Sequence, residues 1–346
     1  MKFALPALCA AAIAVAGCSR VATPDGLTIL ARYHGAAETA SYSVTEMNVV
    51  VMTASHPGPR GRGSVVFSQP SATLQYRMHL GPDQERSEVI SSERMPDSAG
   101  MVQTRNAQTG WNYFPSVRQV ELLTHPATDV GALNWMALIL NNYQVEGVRS
   151  DKIANTPAWY LEVRPKNPGR PMKRLWVDKE TYLPLRQELW SVDGRLVSVT
   201  QAVDRPSPIR AGDFGILKAP VGRDITVVQW DKDYRLPESE ISVALGFPLA
   251  RLPQAPRGFA PVGTYLSIRP DTVGACVRWE LTDGIATISV IQTRKDVSVS
   301  PQDDVPGDVR GPAELVKLGP YNFLVAGNLP RKELRRIADD ISVGPR

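Results

Sequence analysis

Thr73-Leu74-Gln75-Tyr76-Arg77-Met78-His79-Leu80 alternates polar and apolar side chains without a break. Successive side chains of a strand point to opposite faces. The octet therefore reads as a strand with Leu74, Tyr76, Met78 and Leu80 on a packed face and Thr73, Gln75, Arg77 and His79 on a wet one. The same period recurs on both sides of it. Residues 41–52, 63–68, 88–93, 101–105, 111–114 and 118–123 read as further strands, separated by loops that carry Gly, Pro, Asp or Asn. Residues 24–40 precede them as a helix with Leu27, Ile29, Leu30 and Tyr33 at apolar positions. Residues 129–142 interrupt the meander. Asp129 serves there as an N-cap and Leu133, Met136, Ala137 and Leu140 fall at helical spacing, so one helix is expected to lie across the sheet. Strands resume around Trp159, Leu161 and Val163, then at 174–177, 185–190 and 195–202, the last two joined by a turn at Val192-Asp193-Gly194. Alternating segments of this kind give an antiparallel sheet of about ten strands.

Between 204 and 224 the period disappears into Arg205-Pro206-Ser207-Pro208, Gly212, Gly215, Pro220 and Gly222, a composition suited to a link between domains. Residues 205–223 are expected to be that linker, with one domain over 18–204 and another over 224–346. In the second, Pro248, Pro253, Pro256 and Pro261 stiffen a loop over 245–261. Residues 265–269, 275–281, 285–292 and 321–327 read as strands, with Thr282-Asp283-Gly284 turning the chain between the second and third. A last helix starts at Pro330. Glu333 suits its first turn, and Leu334, Ile337, Ala338 and Ile341 share one face. Both halves are α+β.

The amino end carries one basic residue, Lys2, an apolar run from Phe3 to Val15 too short to span a bilayer, and then Val15-Ala16-Gly17-Cys18. This resembles a bacterial lipoprotein signal. Residues 1–17 are expected to be removed, Cys18 to be lipidated, and several acyl chains to fix the protein to the envelope. Ser19 favours the outer membrane, on the periplasmic side. The remaining 329 residues contain no second run of spanning length, and loss of Lys2 lowers the net charge from +4 to +3. So mild a charge, with no basic stripe, argues against nucleic acid. Cys276 then stands alone, so no internal disulfide is available, and it reads as a small packed side chain.

Catalytic patterns are missing. His34, His56, His79 and His125 lack metal-ligand spacing and read as solvated; no Gly-x-Ser-x-Gly elbow occurs, and nothing calls for a metal or cofactor. Gly58-Pro59-Arg60-Gly61-Arg62-Gly63 reads as a hairpin tip, and Asp303-Asp304 and Asp339-Asp340 as solvated charge. A binding protein is expected, not an enzyme.

Three further stretches carry a resemblance. Leu183-Pro184-Leu185-Arg186-Gln187-Glu188-Leu189 with Asp193-Gly194-Arg195 resembles the closing hairpin of the N-terminal domain of MucB/RseB proteins. Asp283-Gly284-Ile285-Ala286-Thr287-Ile288-Ser289-Val290 is similar to a hairpin of that family's second domain. Val325-Ala326-Gly327-Asn328-Leu329-Pro330, with Arg335-Arg336-Ile337-Ala338, is similar to its last strand and helix. The resemblance spans roughly residues 25 to 343 in order and spacing. It implies an open antiparallel half-barrel of the LolA/LolB type with crossing helices, then a smaller α+β domain. It also implies a function: binding the periplasmic part of an anti-sigma factor of the RseA/MucA type in envelope-stress regulation, tuned by lipids or lipoproteins. A lipid or lipoprotein carrier is the second reading, and an envelope lipoprotein with no small ligand the third. A concave sheet under a helix can receive acyl chains, and Trp111, Tyr113, Trp135, Met136, Leu140, Trp159 and Trp176 are the side chains expected around such a cavity. Arg331, Lys332, Arg335 and Arg336 form a basic face on the last helix for an acidic partner, whose binding salt should weaken.

Overall fold

The computed structural model describes residues 24–57, 64–81, 84–106, 109–124, 134–209, 219–252, 254–269, 274–294 and 312–343. The signal sequence with Cys18, the arginine-bearing tip at 58–63, His125, Asp129, Asp303-Asp304 and the middle of the expected linker lie outside them. In chain order α1 (Gly26–Thr39) leads into β1 (Ser41–Pro57), β2 (Ser64–Leu80), β3 (Glu85–Ser92), β4 (Val102–Arg105), β5 (Thr109–Phe114) and β6 (Gln119–Thr124). Next come α2 (Trp135–Asn142), β7 (Tyr143–Ile153), β8 (Thr156–Pro165), β9 (Met172–Asp178), β10 (Pro184–Trp190), β11 (Leu196–Ala202) and the short β12 (Ser207–Pro208). The second half holds β13 (Thr226–Arg235), α3 (Glu238–Leu245), β14 (Ala260–Arg269), β15 (Gly274–Thr282), β16 (Thr287–Thr293), β17 (Ala313–Leu318), β18 (Tyr321–Gly327) and α4 (Arg331–Asp339).

Hydrogen bonding orders the first sheet β7-β8-β9-β10-β11-β1-β2-β3-β4-β5-β6, every neighbour antiparallel. The sheet does not close. Among the described residues its β7 edge pairs only with β8, and its β6 edge continues into β13, a parallel partner. The far end of β13 pairs with β14, from which the second sheet runs β14-β15-β16-β18-β17. One strand thus belongs to both sheets, and alternation alone did not reveal it, nor β7, α3 or β17.

The helices are placed by their caps and apolar faces. Asp25 accepts from Thr28 N at 2.9 Å to start α1, whose Ile29 and Leu30 are fully buried. Asn134 plays the same part for α2 by accepting from Ala137 N at 2.9 Å. Both helices pack on one face of β8 and β9, against Leu161, Val163, Leu175 and Val177. We call this the inner face. Residues directly opposite on neighbouring strands share a face, so the register carries it from Leu175 through Gln187 and Thr200 to Asn48, and along β1 to Glu46, opposite Gln75.

This register corrects the reading of the opening octet. Its period of two is right, but α1 covers the polar side. His79 Nε2 donates to Ala37 O at 2.7 Å on that helix, and its ring lies 5.3 Å from that of Tyr42. Met78 and Leu80, at 5 and 8 % exposure, are buried on the opposite face. Alternation separates the faces of a strand; it does not say which one a helix will cover.

Candidate functional site

The inner face has two different halves. Around β8 and β9 it is apolar, with Tyr33, Trp135, Met136 and Trp159 packed at the margin of the Leu161–Val177 cluster and His34 set against Trp135 at 4.7 Å. Around β1 to β4 it is ionic. Glu46, only 6 % exposed, accepts from Gln75 Nε2 at 2.7 Å and faces Arg77 at 3.5 Å. Arg77 also donates to Glu85 at 2.9 Å, and Arg105 reaches Glu85 at 3.7 Å. Burial pulls the Arg77 guanidinium toward a lower pKa, but the Glu85 and Glu46 carboxylates more than offset this and hold it above its ordinary range. Burial lowers His79, and Arg77 adds to the shift. Burial also pushes the Tyr33 phenol up to about 12. Arg77 Nε and His79 Nδ1 are buried with no hydrogen-bond partner among the described residues.

The seven side chains expected around a cavity do not meet. Trp135, Met136 and Trp159 come together beneath α1 and α2. Leu140, on the same helix as Met136, is 41 % exposed, because Ile139 takes the inward position. Trp176 lies opposite Tyr160 in the register while Trp159 lies opposite Val177, so Trp176 stands on the outer face, with its Nε1 donating to Asp151 at 2.8 Å. Trp111 falls in the row Met78–Arg86–Thr104–Trp111–Leu122, and Tyr113 two residues on shares that outer face. On the inner face Lys173 lies opposite Val163 and Leu189. Burial lowers its pKa, and no carboxylate pairs with it among the described residues.

A polar clamp ties the half-barrel to the second domain. The carboxylate of Asp283, at the β15–β16 turn, is 0 % exposed and accepts from Tyr143 Oη at 2.9 Å, from Ile285 N at 3.0 Å and from Ala286 N at 2.7 Å. Arg170 Nε stands 3.5 Å from it, while Arg170 Nη1 donates to Glu333 of α4 at 2.8 Å and the guanidinium lies 4.9 Å over the Phe259 ring. Asn142, the last residue of α2, donates through Nδ2 to Gly258 O at 2.8 Å and Asp283 O at 3.0 Å. Burial pushes the Asp283 carboxyl up, against the donors that surround it. The Tyr143 phenol rises too, through burial first and then through the Asp283 charge and hydrogen bond. Two glycines permit this approach. A Cβ on Gly258 would stand 2.1 Å from Asn142 Oδ1, and one on Gly284 would stand 2.8 Å from Ile139 Cδ1. Both have positive φ, +88 and +102. Sequence reading missed Tyr143, Arg170 and Asp283 as a unit, since Asp283-Gly284 looks like any hairpin turn and its partner is 140 residues away.

On α4, Arg331 and Arg335 both pair with Glu314, and Arg335 reaches Asp339 at 2.9 Å. Lys332 and Arg336 are exposed, with no partner among the described residues. Two clefts lie on the described residues. One of about 350 Å³ is lined by Leu318–Tyr321 and Ile341–Val343, and one of about 190 Å³ by Asn142, Asn167, Arg170 and Arg257. No group of His, Cys, Asp and Glu suited to a metal occurs among the described residues.

A family model described only as an uncharacterised protein matches residues 89–205. No curated protein matches the chain. The complex of Pseudomonas aeruginosa MucA/MucB is similar at 18 % identity and a TM-score of 0.51, covering 93 % of this chain and 100 % of that one. MucB in complex with MucA(peri) is similar at 18 % identity, 0.50 and the same coverage. The LolA superfamily protein NE2245 of Nitrosomonas europaea matches at 15 % identity, 57 % and 98 % coverage and a TM-score of 0.26, too low to bear on the argument. The open sheet under its helices, the second α+β domain clamped to it and the agreement over 93 % of the chain show that this protein has the MucB/RseB-like fold.

Proposed function

We propose that the protein is a regulatory binding protein of the cell envelope that takes the periplasmic part of an anti-sigma factor as its partner. The observation that carries this reading is the agreement in fold, across both domains, with MucB solved together with MucA. Its basic contribution would come from Lys332 and Arg336, since Glu314 and Asp339 already neutralise Arg331 and Arg335. Lipidation at Cys18 would hold it on the periplasmic side of the envelope, with the outer membrane favoured.

A second reading, a lipid or lipoprotein carrier, is favoured by Lys173. An uncompensated lysine beside Val163 and Leu189, on the face that also holds Trp135, Met136 and Trp159, suits an acyl chain ending in an anionic head. Pull-down of the full chain from detergent-solubilised envelopes, with mass spectrometry of bound protein and lipid, separates the readings. Recovery of an anti-sigma factor, lost at high salt and in K332Q/R336Q, supports the first. Stoichiometric phospholipid without that protein supports the second. Recovery of neither leaves an envelope lipoprotein without a ligand. Release of a Cys18→Ser variant into the soluble fraction tests the anchor.

A further inference from the structure

The cavity of about 190 Å³ between the domains has a chemistry that the clamp does not use up. Asn142, Asn167 and Arg170 come from the half-barrel, and Arg257 from the loop before β14. Arg170 commits Nε to Asp283 and Nη1 to Glu333 and Gly169 O, leaving Nη2 without a protein acceptor among the described residues. Arg257 has no acceptor at all there, nor has the Asn167 amide. Both acids nearby, Asp283 and Glu333, are already held by Arg170, and Asp283 by Tyr143 as well. Next to the cavity, Lys166 Nζ donates to Leu140 O at the end of α2, adding a further positive charge. Two guanidinium groups and an amide therefore converge with donors to spare. The space is several times the roughly 30 Å³ that a water molecule occupies in the liquid, enough for a small anion and its hydration.

We infer that this cleft is a binding site for an oxyanion, a phosphate or carboxylate group, held by Arg257, Arg170 Nη2 and Asn167. Planar guanidinium groups match such an anion with paired hydrogen bonds, which are stronger when both partners are charged. Because Arg257 belongs to one domain and Arg170 and Asn167 to the other, the anion binds only to the clamped arrangement and stabilises it. Two sources share this chemistry: a free inorganic anion and an acidic side chain of a bound polypeptide.

The test is calorimetric titration of the full chain in detergent with inorganic phosphate, and separately with N-acetyl-aspartyl amide, at constant ionic strength set by chloride. Arg257→Gln is compared with Lys152→Gln, which removes the same charge at an exposed position near the end of β7, away from the cleft. Loss of one charge-assisted contact should weaken binding by roughly tenfold or more in Arg257→Gln and leave Lys152→Gln near the parent. Binding of phosphate alone assigns the site to a free anion, binding of the aspartyl amide alone to a polypeptide carboxylate, and binding of both to the shared chemistry. Binding of neither, or equal binding by Arg257→Gln and the parent, overturns the proposal. Arg257 is exposed and unpaired, so its replacement leaves the fold intact, which circular dichroism checks.

Discussion

Among the described residues, twenty buried side chains from Ile241 to Ile341 form the main core of the C-terminal domain, beside a small cluster of four around Cys276 and Ile291, whereas the longer half-barrel divides its burial between two main clusters of eight. The difference follows from closure. Five strands with α3 and α4 can cover one another completely, and Phe323, Val325, Leu334 and Ala338 lose all contact with water. An eleven-stranded sheet that stays open has more inner surface than α1 and α2 can cover, so part of that surface must be satisfied by polar groups instead. Glu46, Arg77, Gln75 and Glu85 do this under the end of α1. The compact domain is thus the stable part, and the half-barrel is the part with surface to offer. Asp283 joins them.

The largest effect should test that contrast directly. Phe323→Ala removes a fully buried ring from the main core and should cost about 3–5 kcal/mol, while Leu175→Ala, equally buried but in a smaller cluster beneath α1 and α2, removes fewer atoms and should fall toward the lower end of about 2–5 kcal/mol. Urea unfolding of both variants measures it. A greater loss from Leu175→Ala would break the comparison.

The clamp comes next. Asp283→Ala leaves Arg170 without one of its two counter-ions and Tyr143 Oη without an acceptor, and breaking a buried pair in this way costs about 3–5 kcal/mol, here spent at the junction. Uncoupling should therefore separate unfolding into two transitions by differential scanning calorimetry, with the C-terminal domain melting last. Asp283→Asn keeps an acceptor for Ile285 and Ala286 but turns an amide toward Arg170, so it should fall between Asp283→Ala and the parent. A single, unshifted transition in Asp283→Ala would mean that β13, with the remaining Asn142 and Arg170–Glu333 contacts, holds the halves together.

Gly284→Ala sharpens the same point with a smaller change. Its Cβ would crowd Ile139 Cδ1 at 2.8 Å and Ile139 N at 3.3 Å in a backbone conformation that alanine resists. A residue forced into such a region costs about 1–3 kcal/mol. Gly194→Ala, at φ +75 with nothing within 4 Å, shares the backbone strain without the contact and is the control. The excess of the first over the second measures how closely α2 is held.

These contrasts also explain what could be read from the chain. The strands of 73–80, 185–190 and 275–281 and the last helix were legible because alternation or helical spacing separates their faces, and α4 keeps Leu334, Ile337 and Ala338 inside as that spacing requires; 321–327, buried at every position, was legible as a short, mostly apolar run. β13 was hidden because it changes partner halfway along, from β6 to β14, and so has no constant wet face. α2 was placed but began later than expected: Asn134 caps it, and Asp129 lies outside the described residues. The aromatic residues were visible and their grouping was not, since parity along β8 and β9 depends on which residues pair, and Trp159 and Trp176 end on opposite faces. The clamp was invisible for a simpler reason: a carboxylate at a turn gives no sign of a tyrosine and an arginine more than a hundred residues away.

The smallest expected effect concerns the ionic half of the inner face and depends on pH. His79 Nε2 donates to the Ala37 carbonyl oxygen, while its second nitrogen, Nδ1, is buried with no hydrogen-bond partner among the described residues. Burial and Arg77 hold its pKa below the ordinary 6.5, with the Ala37 hydrogen bond and Glu85 opposing and Arg105 adding to the shift. The unfolded chain therefore binds more protons than the folded one between the lowered value and 6.5, and stability rises with pH through that window. Acidification from 7 toward 5 should lower the melting temperature of the parent. In His79→Gln, whose amide can still donate to Ala37 O without taking up a proton, the slope over that range should flatten while the value at pH 7 changes little. An unchanged slope would place the acid sensitivity elsewhere and remove the ionic half of the inner face from the comparison.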